Sequence, residues 1–299
     1  MRHYNPPGTF NWPLPAQGLA FWAEALKKRA KNYRRKLKRC RQGFSRTAVH
    51  DSRIDARRLI AELELLNDFV DSKHARIVRG ILKKHLDILD ELRDAQVQLA
   101  TMAQFCGQLA GANVFRGYLS AREKRCLQQA GKDRGLLKSR RLMKYLSQCR
   151  KELKEAAGRF SAIQVNRRLR LALEAAFQRV VRRKELVVPS DTFMVHRTRI
   201  AFKTFRYMVE SPGKDLLKRE GSWVGGMQRY QRIMGAVQDA EVLGKSLEKF
   251  LRKHPLNAAE AKALRRACER QRQRRMHVYL RHAGELLNFR PHHGRAAPL

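Results

Sequence analysis

The segment VHDSRIDARRL, residues 49–59, returns as VHRTRIAFKTF at residues 195–205. On a helix each residue advances about 100°, so His50, Arg53 and Arg57, at i, i+3 and i+7, fall within an arc of about 60°. Val49, Ala56, Ile60, Leu63 and Leu66 form the neighbouring stripe. In the second copy His196, Arg199, Lys203 and Arg206 share one arc, flanked by Val195, Phe202 and Val209. Each segment therefore reads as a helix that packs by one edge and presents a row of hydrogen-bond donors beside its core face.

One HxxRxxx[RK] spacing arises readily by chance in a basic chain, and a charge row is usually a solvated face. A second match at nearly the same offset makes chance a poor explanation. LRDAQV at residues 92–97 corresponds to VQDAEV at 237–242, and each follows a long amphipathic segment, LKKHLDI at 82–88 and MQRYQRI at 227–233. Two signals in the same order at the same separation indicate an internal duplication.

Outward from these motifs, apolar residues recur every three or four positions, as in Leu59, Leu63, Leu66 and Val70 or Leu82, Leu86, Leu89 and Leu92, and no stretch alternates as a strand does. The pattern predicts helices at 16–43, 46–70, 73–109, 113–157, 160–185, 190–211, 222–253 and 257–288. Gln42-Gly43 reads as a helix end, Gly107 to Gly111 as a loosened stretch, and Pro189-Ser190-Asp191 as a stop followed by N-cap residues. Ser211-Pro212-Gly213 is the clearest turn. Residues 1–15, with Pro6, Pro7, Pro13 and Pro15, read as an irregular arm, and 289–299 as a disordered basic tail whose His292-His293 pair is solvated.

Composition narrows the function. The 299 residues are 43% apolar, enough to bury a core, and 65 Lys and Arg against 27 Asp and Glu leave a formal charge of +38. So dense a field is used on a polyanion or an anionic surface. No apolar run approaches the roughly 20 residues that cross a bilayer, and MRHYNPPGTFNWPLP lacks the apolar stretch of a signal peptide. A soluble cytoplasmic protein is expected. The five cysteines, Cys40, Cys106, Cys126, Cys149 and Cys268, are scattered with no CxxC pair, which argues against a disulfide scaffold or a cysteine-ligated zinc site and for buried thiols. No metal site or cofactor is expected.

The paired motifs resemble those of the CHAD domain, a conserved-histidine α-helical family built from two four-helix repeats. Its pattern, approximately HxxRxxxRRLR, is similar to VHDSRIDARRLI and VHRTRIAFKTFRYMVE, and its follow-on signatures LGxxRDxDV and LGxxxDxxV are similar to LDELRDAQV (89–97) and MGAVQDAEV (234–242). This chain departs from the pattern at Asp90 (usually Gly), Gln96 (usually acidic) and Thr204 (usually basic). The resemblance covers residues 18 to 287. It implies an all-α fold in which two pseudo-symmetric four-helix bundle repeats, about 16–158 and 159–288, form one helical domain around a central basic groove or pore.

It also implies binding of inorganic polyphosphate at the interface between repeats. Matched positions give His50, Arg53, Arg57 and Arg58 from the first repeat and His196, Arg199, Lys203 and Arg206 from the second. Lys83, Lys84 and Arg229, on the preceding helices, are expected to widen the groove, and sulfate or phosphate ions to occupy the same site. A linear phosphate chain carries about one charge per residue and no bases, so it asks for many cations and no stacking platform. Arginine forks suit pairs of phosphate oxygens, lysine adds point charge, and histidine gains a proton beside anions. Arg93 with Asp94 is expected as a structural pair, with Asp239 alone in that part in the second repeat.

Catalysis is not expected. Phosphoryl chemistry normally needs carboxylates holding Mg²⁺. The tunnel-type ExExK mark is approximated only by Glu62-Leu63-Glu64, without the lysine and in a helical pattern where residues two apart diverge by about 200°. GxxxxGK[ST], GxSxG and HExxH are absent. The rival reading is a non-specific nucleic-acid binder, to which clusters such as Arg34-Arg35-Lys36-Leu37-Lys38-Arg39 lend charge. A scaffold docking on polyphosphate granules is compatible with the first reading.

Overall fold

The computed structural model describes residues 18–105, 107, 109–189, 191–211 and 221–291, and among these every regular element is helical. α1 (Leu19–Gly43) buries Trp22, Leu26, Tyr33 and Leu37 at three- and four-residue spacing. It ends in a left-handed residue, as the Gln42-Gly43 signal suggests, but Phe44 rather than Gly43 takes the positive φ of 51°. The Phe44 ring is buried, and its N–H donates to Cys40 O at 2.8 Å. Burial and that bond offset the roughly 1–2 kcal/mol a side chain costs in this conformation.

Local capping starts most of the later helices. Ser45 opens α2 (Arg46–Leu65) and Ser72 opens α3 (Lys73–Met102). A reciprocal Ser161–Gln164 box opens α6 (Ala162–Glu185). Asp191, one of the expected N-cap residues, accepts from Met194 N at 3.1 Å to open α7 (Thr192–Val209). α8 spans Gly221–Leu251, and Asn257 caps α9 (Ala258–His282). At the expected loosening after α3, Gly111 has φ +77°, and a β-carbon there would lie 2.8 Å from Leu256 Cδ1. Only glycine fits that approach.

One predicted helix is two. The reading of 113–157 as continuous joined α4 (Ala112–Lys132) to α5 (Arg140–Glu155) across a 3-10 turn at Asp133–Gly135. Leu137, in the connection, is fully buried and keeps the apolar period running through the break, which hides it from pattern reading. The first half of the chain thus holds five helices where four were expected. Phe289 corrects a second expectation: assigned to the tail, it is 4% exposed and packs against Phe202, Trp223 and Tyr230. The expected arm at 1–15, Cys106, Ser190, Pro212-Gly213 and His292-His293 lie outside the described residues. The four described cysteines are unpaired, with Cys40, Cys149 and Cys268 buried.

The two motif helices meet. α2 packs on α1, α3 and α7, while α7 packs on α6 and α8, and α3 lies against α8. A large core runs continuously from α1 to the 3-10 turn at Ala283–Phe289. A smaller one joins Met102 of α3, Phe115 and Leu119 of α4, Leu247 and Phe250 of α8, and Leu264 of α9. Both halves of the chain contribute to each core. No described helix is long and apolar enough to cross a membrane.

Candidate functional site

On the α7 side, three pairings in register line the basic row against α8. Arg206 Nε donates to Gln231 Oε1 at 2.9 Å. Arg199 lies over Gly235, its Nε 3.6 Å from where a β-carbon would stand. His196 is set against Gln238. The α8 positions against Arg199 and His196 are thus glycine and amide, with the buried carboxylate of Asp239 one turn beyond Gly235 and acting on Arg199. Arg199 Nε and His196 Nδ1 are buried with no hydrogen-bond partner among the described residues, a state that costs about 1–3 kcal/mol per group unless a ligand or solvent satisfies it.

The α2 side is built differently. Arg53, 7% exposed, donates from Nη1 to Leu86 O at 3.3 Å and forms an ion pair with Asp90 of α3. Arg57 Nη2 lies 3.9 Å from the same carboxylate. Asp90 occupies the position that Gly235 occupies in the second motif.

Between the two rows sits Lys203. Desolvation, then the charges of Arg57, Arg199, Arg53 and Arg206, push its ammonium down to about 6, and no carboxylate among the described residues pairs with it. Burial first, and Arg57 next, push Arg53 down to about 9. Arg57 is lowered by burial, with Arg199 adding to the effect. His196 is lowered by desolvation and then Arg199. His50 is lowered by desolvation and then by Arg93, with Lys203 and Arg53 adding to it, although much of its surface faces solvent. These groups act on one another across α2 and α7, so both copies of the motif feed one site. A crowd of partly dried cations with few counter-charges is a preorganised place for an anion, because the self-repulsion is relieved only when negative charge arrives.

Nearby carboxylates limit the field. Burial raises Asp239 despite the pull of Arg199 and Arg93. Arg93, expected to pair with Asp94, feels Asp239 of the other half more strongly.

The family profile described as CHAD domain matches residues 24–248. The chain belongs to the CHAD-domain family. Its fold is similar to that in the crystal structure of the CHAD domain from the plant Ricinus communis, at 19% identity and a TM-score of 0.67, covering 94% of this chain and 97% of that one. It is also similar to PptA from Streptomyces chartreusis, at 16% identity and a TM-score of 0.66, covering 90% and 99%. At these identities the likeness is one of fold. No curated protein matches the chain in sequence.

Six of the sequence-selected residues converge in this CHAD domain: His50, Arg53, Arg57, His196, Arg199 and Lys203. Arg58 and Arg206 adjoin them but are committed to Glu210, at 2.8 and 2.6 Å, and both guanidiniums stack on Tyr207. Lys83 and Lys84 are exposed, and Lys83 neighbours Glu64. Arg229, 57% exposed, reaches Glu285 at 3.4 Å. Sequence reading missed Glu210, Tyr207, Gln231 and Gln238 as parts of the site. Gln238 had a signal, since it stands where the first motif has Arg93; Glu210 had none.

Proposed function

We propose that this CHAD domain binds inorganic polyphosphate, without catalysing its hydrolysis or transfer, along the two facing basic rows of α2 and α7. The observation that carries this reading is Lys203, a half-buried amine among four arginines, with no ion-pair partner among the described residues and only the buried Asp239 acting on it at longer range. A flexible chain of phosphates supplies closely spaced negative charge and oxygen acceptors for Arg199, Arg57 and Lys203, and makes no demand for aromatic stacking. Three of the four aromatic residues of α7 support this: Phe202, Phe205 and Tyr207 are buried and offer no platform for bases, and only Phe193, in the first turn under Arg197, is exposed. Recruitment to polyphosphate granules is the cellular use this reading suggests, with sulfate and phosphate as weak occupants of the same groove.

A second reading has its own observation. The outward face of α1 carries Lys27, Lys31, Arg34, Arg35, Lys38 and Arg39 exposed together, a surface that attracts nucleic acid without sequence preference. Titration calorimetry with long-chain polyphosphate and with duplex DNA of matched charge, at physiological salt, separates the two. Tight saturable binding of polyphosphate with much weaker DNA binding supports the groove. Comparable or stronger DNA binding overturns it in favour of the surface.

A further inference from the structure

The two halves of the groove are not equivalent. Arg53 and Arg199 are matched residues of the two motifs, and their partners are the matched pair Asp90 and Gly235. Arg199 meets bare backbone on α8, and α7 still packs on α8 there. A carboxylate at this position is therefore not needed to dock the motif helix on its neighbour. Arg53, moreover, already has the Leu86 carbonyl as an acceptor. The Asp90 side chain is 44% exposed with its Oδ1 turned inward and buried against Arg53 and Arg57, so it closes the edge of the groove in front of those two arginines.

We propose that Asp90 is a built-in counter-anion that occupies the α2 half of the groove and makes the site selective for long polyanions. The inference rests on the polyphosphate reading above. In the free protein the α7 half has no counterpart of Asp90, its buried Asp239 acting on Arg199 and Lys203 from one turn along α8, while the α2 half carries Asp90 directly against Arg53 and beside Arg57. A short anion finds only the α7 half. A long chain anchored there brings its next phosphates to Arg53 and Arg57 at high effective concentration and displaces the carboxylate. Asp90 thus penalises short ligands more than long ones, a repulsive contribution to specificity.

The test compares tripolyphosphate with long-chain polyphosphate by calorimetry in the wild type and three variants of the full chain. Asp90→Asn removes the charge and keeps the shape. It should tighten tripolyphosphate about tenfold, the change that about 1.4 kcal/mol produces, and tighten the long chain less. Gly235→Asp is the reciprocal variant: its β-carbon meets Arg199 only at ordinary contact distances of 3.6 and 3.9 Å, and its carboxylate is placed beside that guanidinium. It should weaken tripolyphosphate by about the same factor. Asp87→Asn, an exposed residue one turn earlier on α3, makes the same change in net charge and should leave affinity near that of the wild type. If Asp90→Asn matches Asp87→Asn, or weakens binding because Asp90 only positions Arg53, the inference falls while the polyphosphate reading stands. If Asp90→Asn unfolds, Gly235→Asp alone decides: unchanged affinity overturns the inference. Wild-type protein that binds no polyphosphate overturns both.

Discussion

Arg58 of α2 and Glu210, the residue after α7, are bonded across 152 positions of sequence, through Nε and Nη2 to one carboxylate oxygen at 3.1 and 2.8 Å. Arg206 holds the other oxygen at 2.6 Å. The carboxylate is 8% exposed, so both guanidiniums share one nearly dry counter-charge. Glu210→Gln leaves Arg206 without its carboxylate and Arg58 with only Asp55, at 3.4 Å, and should cost about 3 kcal/mol of stability, the scale of breaking a buried pair. Urea denaturation measures it. Arg58→Met should also lower the midpoint while the folded variant binds polyphosphate nearly as the wild type does. A large affinity loss at unchanged stability would return Arg58 to the binding row.

Lys203→Met should act in opposite directions on folding and binding. It removes an amine that burial and four neighbouring arginines disfavour, so the urea midpoint should rise, and it removes a central ligand cation, so polyphosphate affinity should fall. Loss of both would make Lys203 a structural residue.

The pH dependence follows from the same residues. The folded-state values of Lys203, His50 and His196 lie below their ordinary ones. Each group's contribution to stability is therefore present when it is neutral and lost as acidification charges it, from 10.5 down through about 6 for Lys203 and below 6.5 for the histidines. Binding runs the other way, because a polyanion favours the protonated forms. Affinity should rise as pH falls from 8 toward 6, with net proton uptake at pH 7.5. Calorimetry in two buffers of different ionisation enthalpy detects that uptake, and buffer-independent heats would separate Lys203 from the ligand.

Sulfate should raise the melting temperature with the logarithm of its concentration above Kd, by the mass-action stabilisation of about 2.7 kcal/mol at a hundredfold excess. Arg199→Glu should abolish the shift, and Arg229→Glu, at a residue held by Glu285, should keep it. Equal losses in the two variants would mean that sulfate is held by diffuse surface charge.

The motif helices and their facing rows were legible because helical periodicity ties His50 to Arg53 and Arg57, and His196 to Arg199 and Lys203, in one arc. The break between α4 and α5 was not, since buried Leu137 keeps the apolar rhythm through the 3-10 turn. Arg206 shares the stripe with the open cations and Arg58 follows Arg57 in the matched motif, and the three-dimensional position of Glu210 is what sets both apart from them. Arg229 was chosen by offset along α8, yet it points to the turn after α9, a direction that an approximate match of helices does not fix. Asp90 was visible as a departure from a pattern; that it meets Arg53 required the packing of α3 on α2.

The α2–α7 contact also sets an order of events during synthesis. With Arg58 and Glu210 separated by 152 residues, and translation running at about 5–20 residues per second, the first basic row is made roughly eight to thirty seconds before its partner. During that interval α1 and α2 hold their arginines without Glu210 beside them, on a machine whose surface is itself a polyanion. The basic groove is therefore complete only once α7 has been made, and the pairing of Arg58 with Glu210 is a late, non-local step of folding.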